Sequence, residues 1–298
     1  MKLSSTQIGY LAMLIAILGF GSGPTFVKMA LSEYLPFDIL AGRFFLAFFL
    51  LFIIALIFKV NLSLKKIGAG PLLMGILNPF LVTISFHVGL LLTNPVNAVA
   101  IISMLPIIQP FVAKLFLKEK IEIKVLIGVT ITIMGTYLLI STQQKLGNGN
   151  YIGDLLIFLG MVCVSANEVL GRKIMKKNAN PLTVSAYQYL ISCVLSCLIL
   201  LIIWPKSNFN FNDSFVISWP FLAIIYLAIQ TFYAYIAYNF ALRNLPIGKI
   251  SLMYPLTGPI GATLSWLILG QEITIIIFVS LIVILIGTTV PYINLKKN

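Results

Sequence analysis

The sequence predicts an all-α membrane protein: ten transmembrane helices forming two inverted five-helix repeats. Three observations predict it. Of the 298 residues, 60% are hydrophobic and only 9% charged, with a mean hydropathy of +1.05. A soluble domain carries about 25% charged residues, so this chain could not cover a water-facing surface. Apolar stretches of about 20 residues, enough to cross a bilayer core, recur ten times. The basic residues gather in alternate loops. This composition excludes a soluble enzyme, a disordered chain and a disulfide-stapled secreted domain. Cys163, Cys193 and Cys197 sit in apolar runs without ligand spacing, so neither a metal site nor a cofactor is expected.

The ten spans are expected at 8–30, 38–58, 71–92, 96–117, 123–142, 153–175, 181–203, 219–241, 246–269 and 273–294. The first is too long for a signal peptide and lacks an A-x-A-like site. Pro36 opens the second. The third contains Asn78 and Pro79, the fourth Pro106 and Pro110. Glu119 precedes the fifth, where a carboxylate favours a helix N-terminus. The sixth begins near Gly153, and Pro181 precedes the seventh. The longest loop, 204–218, has Pro205, Asn208, Asn210, Asn212 and Asp213 and leads into an aromatic eighth span. Pro255 and Pro259 lie in the ninth, and Glu272 begins the tenth.

With a cytoplasmic N-terminus, fourteen Lys and Arg fall in inside loops against only Lys145 and Lys206 outside. That asymmetry is the positive-inside pattern. It predicts a multi-pass protein of a plasma (inner) membrane with both termini cytoplasmic. It also explains the net charge of +12 without nucleic acid as a partner. The expected partners are the lipid bilayer and a small-molecule substrate, with the chain a monomer or homodimer.

Residues 1–147 and 148–298 resemble each other. Gly9 matches Gly153, Lys28 matches Arg172 and Pro36 matches Pro181. Pro106 precedes Glu119 by 13 residues, as Pro259 precedes Glu272. Five spans per half is an odd number, so the second copy must insert upside down. Inverted repeats belong mostly to transporters, where they supply two states open to opposite sides.

Several motifs carry a family resemblance: Gly21, Ser22, Gly23 and Pro24 in the first span, and Pro36 followed by Arg43 in the second. Others are Pro106 running to Lys118, Glu119 and Lys120, and Pro259 running to Gly270, Gln271 and Glu272. Across nearly its whole length the chain resembles the ten-helix, EamA-type transporters of the drug/metabolite superfamily. The resemblance implies transport of small metabolites, often amino acids or nucleotide-related compounds, frequently outward, without a prosthetic group. Two positions depart from the pattern: Gln188 stands where the second half would repeat Arg43, and Leu117 and Lys118 precede Glu119 where a glycine is expected.

Polar groups inside the hydrocarbon face a cavity or a partner, because exposure to lipid is costly. Glu168 lies about 10 Å inside the sixth span at 1.5 Å per residue. It is a candidate to bind a cationic group or carry a coupling proton; the alternative is a local ion pair with Arg172. Asn78, Gln109, Gln188 and Gln230 are candidates to hydrogen-bond a polar substrate, or else interhelical glue. Arg43 is either a guide for anionic groups or a snorkelling side chain. Tyr235 stands among Tyr226, Tyr233 and Tyr238, whose rings suit an organic cation or an aromatic amino acid. His87 is a second candidate for proton coupling. Gly21, Gly23 and Pro24 mark either an unwound segment or a packing face, and Pro106, Pro110, Pro255 and Pro259 are candidate hinges.

The favoured function is a secondary transporter or facilitator of a small polar or amphipathic metabolite, of the amino acid or amine class, working by alternating access and exporting it. A lipid flippase shares that physics. A membrane-embedded transferase is the rival. No catalytic residue is assigned, because no metal or phosphate-loop motif is present and topology puts Glu168 and His87 in opposite leaflets.

Overall fold

The computed structural model describes residues 4–65, 67–102, 105, 108, 109, 112, 114, 116, 123–145, 150–203, 218–251, 253–271 and 274–290. The described chain is helical. In order come α1 (Ser5–Ala30), α2 (Pro36–Ile57), α3 (Gly70–Leu92), α4 (Pro95–Ile102), α5 (Ile123–Lys145), α6 (Tyr151–Met175), α7 (Pro181–Ile203) and α8 (Trp219–Asn244). A short turn of helix, Ile247–Ser251, and a 3-10 turn, Tyr254–Leu256, lead into α9 (Thr257–Leu269). The last described element is α10 (Ile275–Thr289). Pro106, Pro110, Glu119, Glu272 and the loop residues 204–217 lie outside the described residues.

Local chemistry sets the ends. Ser4 and Gln7 form a reciprocal cap on α1, satisfying donors that no helix can pair internally. Asn150, Ser218 and Thr274 cap α6, α8 and α10 with side-chain oxygens. Gly270 closes α9 with φ +64°, a conformation that glycine adopts without steric cost.

Six described helices are long and apolar enough to cross a membrane: α1, α2, α3, α6, α7 and α8. Burial agrees with a lipid surrounding. Phe45, Phe49 and Phe52 of α2 and Leu198 and Leu201 of α7 are exposed, while Gln188, Ser192, Thr231 and Asn239 are fully buried. Polar groups inside and large apolar ones outside invert the order of a water-soluble core.

The dominant pairings are α1 with α8, α3 with α6, α2 with α7 and α5 with α10. Glycines permit the closest of them. A Cβ on Gly153 would stand 2.7 Å from the Gly89 carbonyl, and one on Gly287 would stand 2.7 Å from the Thr132 nitrogen. Without hydrophobic drive between helices in lipid, such close backbone approach carries the packing.

Helix breaks fall in the third and ninth spans and not in the first. The glycine-rich stretch does not unwind: α1 runs unbroken through Gly19, Gly21, Gly23 and Pro24. Neighbours hold it straight. A Cβ on Gly19 would lie 2.7 Å from Ala234, and one on Gly21 would lie 3.0 Å from Ile260. The break falls in α3 instead, where Asn78 takes φ −149° and ψ 114° within a wide turn spanning Ile76–Leu81. The ninth span is interrupted too, around Tyr254–Leu256, with Pro255 in the interruption and Pro259 in the first turn of α9.

Candidate functional site

A cavity lies among α1, α2, α3, α6, α8 and the Tyr254 turn, with Ile102 and Leu105 completing its wall. It contains about 600 Å³ of space between atoms, part of it open to the outside. Most of the lining is apolar: Phe20 and Val27 from α1, Val82 and Phe86 from α3, Met161 and Val164 from α6. Arg43, Asn78, Thr83, Gln230, Tyr235 and Tyr254 supply the polar groups. A largely apolar pocket with a few convergent polar side chains is the usual form of a small-molecule site.

Sequence position explains each contribution. Gly23 points no side chain at a neighbour and leaves open space, and Pro24, one residue on, lines the same wall. Arg43 emerges one turn past the Asp38 cap of α2, whose carboxylate accepts the Leu35 N–H at 3.1 Å. The guanidinium is buried. Its Nη2 donates to Gln230 Oε1 at 2.8 Å and its Nε to the Thr231 hydroxyl. Thr231 is itself anchored on the Leu227 carbonyl. The hydrogen-bond acceptors that hold Arg43 are therefore a neutral amide and a hydroxyl.

Asn78 joins the cavity to the layer behind it. Because α3 is broken there, its carbonyl is free of helix pairing, and Gln188 Nε2 donates to it at 2.8 Å. Tyr235 donates from its hydroxyl to Asn78 Oδ1 at 2.7 Å. Gln188 in turn accepts from Asn239 Nδ2, which also donates to Ser185. Irregular backbone at membrane depth is tolerated where protein groups satisfy it, as Gln188 does here.

Of the sequence-predicted binding residues, Arg43, Asn78, Gln230 and Tyr235 line the cavity, while Gln188 stands behind Asn78. Glu168 is elsewhere. Met161, Val164 and Glu168 share one face of α6; the first two line the cavity and Glu168 falls one turn beyond. Between them lies an aromatic cluster centred on Phe20. Its ring stands 5.3 Å from Tyr235, 5.9 Å from Tyr238 and 6.3 Å from Tyr254, centroid to centroid. Glu168 is fully buried, beside the phenols of Tyr238 and Tyr254, and neither carboxyl oxygen has a hydrogen-bond partner among the described residues. The local ion pair with Arg172 does not form. Arg172 Nη1 donates to the Leu242 and Arg243 carbonyls at the end of α8.

Gln109 is buried with both amide atoms unpartnered among the described residues. His87 is also off the cavity, with Nδ1 3.3 Å from the Pro36 carbonyl. Sequence reasoning missed Phe20 and Thr231. Phe20 had one signal, being the large side chain between Gly19 and Gly21; Thr231 had none beyond its place next to Gln230. Among the described residues no group of His, Cys, Asp and Glu could hold a metal ion.

The EamA-like transporter family model matches the chain twice, over residues 7–141 and 151–292. The chain belongs to the EamA-like transporter family. It is therefore an integral membrane protein and a transporter. Among its relatives, the uncharacterized transporter YyaM of Bacillus subtilis (strain 168) is 28% identical over 290 residues, covering 93% of this chain and 92% of that protein. An uncharacterized transporter of Methanothermobacter thermautotrophicus (strain Delta H) is 23% identical over 305 residues, covering 97% and 87%. A solved crystal structure with 17% identity superposes with a TM-score of 0.67 over 96% of each chain, which shows a shared fold.

Proposed function

We propose that this EamA-like transporter is a secondary transporter or facilitator that moves a small polar or amphipathic metabolite of the amino acid or organic amine class by alternating access. Export is the proposed direction, from a cytoplasm that holds both chain termini, across a plasma (inner) membrane. The moving parts are two inverted halves, residues 1–147 and 148–298. The observation that carries this reading is the cavity itself. Its walls come from α1, α2 and α3 on one side and α6, α8 and Tyr254 on the other, so relative motion of the halves would reshape it.

Matching contacts at opposite ends of the bundle support the inversion. Gly9 at the start of α1 packs against Asn244 and Leu245 at the end of α8; Gly153 at the start of α6 packs against Leu92 and Thr93 at the end of α3. Lys28 Nζ donates to the Leu90 carbonyl at 2.8 Å, and Arg172 donates to the Leu242 carbonyl. One offset of 144 residues relates Gly9 to Gly153 and Lys28 to Arg172. An offset of 152 relates Leu90 to Leu242, Leu92 to Asn244 and Thr93 to Leu245. The two family matches begin at 7 and 151, again 144 apart. A basic side chain near helix-terminal carbonyls is favourable in either copy.

Cysteine labelling tests the cycle. With Cys163, Cys193 and Cys197 replaced, single cysteines are placed at Val164, in the cavity, and at Asn239, beyond the aromatic cluster. Impermeant maleimide should reach Val164→Cys from one side and Asn239→Cys from the other, with substrate shifting the two in opposite senses. Labelling of both from the same side, in all conditions, would sink alternating access.

A further inference from the structure

The chemistry of the cavity narrows the substrate further, on the reading that the cavity is the transport site. Among the described residues that line it, Arg43 alone carries a full charge. Its Nε and Nη2 are held by Thr231 and Gln230, which fixes the plane of the guanidinium. The remaining Nη1 has no protein acceptor among the described residues, and the side chain is 6% exposed within the cavity wall. Hydrogen bonds to a neutral amide and a hydroxyl orient a cation without cancelling its charge. A buried charge lacking a counter-ion is costly in a membrane interior.

We propose that Arg43 anchors a carboxylate of the transported metabolite. The substrate is then a monoanion or zwitterion with an apolar body: an organic acid or a neutral amino acid, not a simple amine. A guanidinium whose other nitrogens are fixed presents its free edge to a planar carboxylate in one orientation. Phe20, Val82, Phe86 and Met161 line the space an apolar body would occupy. A doubly charged phosphate ester would find one cation where it needs more. Glu168, the carboxyl that would suit an amine, lies past the Phe20, Tyr235, Tyr238 and Tyr254 rings and does not line this cavity.

The test uses the purified full chain in detergent and a panel in which each skeleton is present in several charge forms. Probes are 3-phenylpropionate, L-phenylalanine, 3-phenylpropanamide and 2-phenylethylamine, with 4-methylpentanoate, L-leucine and 3-methylbutylamine as the aliphatic set. Carboxylates or amino acids should raise the thermal midpoint, and the amide and amines should not. Chloride and inorganic phosphate are the ion controls. In Arg43→Gln the affinity should fall about thirtyfold or more, as when one partner of a buried charge pair is removed, and Arg43→Lys should recover part of it. Amines matching carboxylates, stabilisation by inorganic ions only, no response to any carboxylate, or unchanged affinity in Arg43→Gln would each overturn the assignment. The wild-type contrast stands even if a variant folds poorly. Two-sided cysteine accessibility with amines preferred would sink the carboxylate site alone. Carboxylate binding with one-sided accessibility would sink the transport cycle and leave the site.

Discussion

On the proposed repeat, residues 24 and 43 of the first half match 168 and 188 of the second, yet their surroundings differ. Around Pro24 and Arg43 the helices stand apart and enclose space. Around Glu168 and Gln188 they close. Gln188 is tied to Asn78 and Asn239, while the Glu168 carboxyl and the Tyr238 hydroxyl lie fully buried side by side with no close hydrogen bond formed among the described residues. Gln109, four residues on from the cavity-lining Leu105, is unpartnered as well. Folded proteins pair nearly all buried polar groups, so a concentration of unpaired ones asks for an explanation. Ours is that the closed region becomes a water- and substrate-accessible cavity when the halves rock, and the region around Arg43 then packs.

The largest effect expected from that comparison is steric. Gly153→Val would force a Cβ to within 2.7 Å of the Gly89 carbonyl and 2.9 Å of Leu92. Overpacking of this kind costs about 3 kcal/mol or more where backbone cannot yield. Little folded protein should survive, as size-exclusion chromatography of detergent extracts would report. Gly23→Ala meets nothing within 4 Å. It should melt like the wild type while slowing transport by taking space from the cavity. Equal melting of the two variants would break the distinction between packed and open regions.

Glu168→Gln should come next. Gln keeps the shape of the side chain and its polar contact with the Tyr238 and Tyr254 hydroxyls while removing the ionisable group, so little stability should be lost. The thermal midpoint should hold while flux into proteoliposomes falls, if Glu168 faces the second cavity proposed above. A marked loss of stability with normal flux would instead make Glu168 a structural residue.

Much of the architecture was legible because membrane helices write their lengths and ends into composition. The first span was expected at 8–30 and α1 covers Ser5–Ala30; the seventh matches at 181–203. Arg43, Asn78, Gln230 and Tyr235, which line the cavity, were legible as candidates because polarity inside hydrocarbon is rare. The placement of Glu168 was not. Its register on α6 continues the cavity face, and only the Phe20, Tyr235, Tyr238 and Tyr254 rings, brought from α1, α8 and the Tyr254 turn, cut it off. Nor could composition decide which helix breaks. Three glycines and a proline in α1 invite unwinding, yet Ala234 and Ile260 pack too closely to allow it. One Asn-Pro step in α3 does break, because Gln188 from α7 is there to satisfy the freed carbonyl.

The smallest effects probe the matching ends. Lys28 reaches the Leu90 and Thr93 carbonyls at 2.8 and 3.1 Å, and Arg172 reaches those of Leu242 and Arg243 at the opposite end. If the halves are copies, Lys28→Gln and Arg172→Gln should lose similar stability, about 1–2 kcal/mol each for a cation on helix-terminal carbonyls. The two contacts lie at opposite ends of the bundle, so the double variant should lose the sum. Transport should separate them. Each contact braces the first helix of a half against the third helix of the same half, Lys28 at one end of the bundle and Arg172 at the other, so on the proposed cycle each steadies a different end. Weakening the Lys28 contact should shift the Val164→Cys and Asn239→Cys labelling ratio one way, and weakening the Arg172 contact should shift it the other. A shift of the same sign in both variants would mean that the two ends, however alike in chemistry, do not take turns.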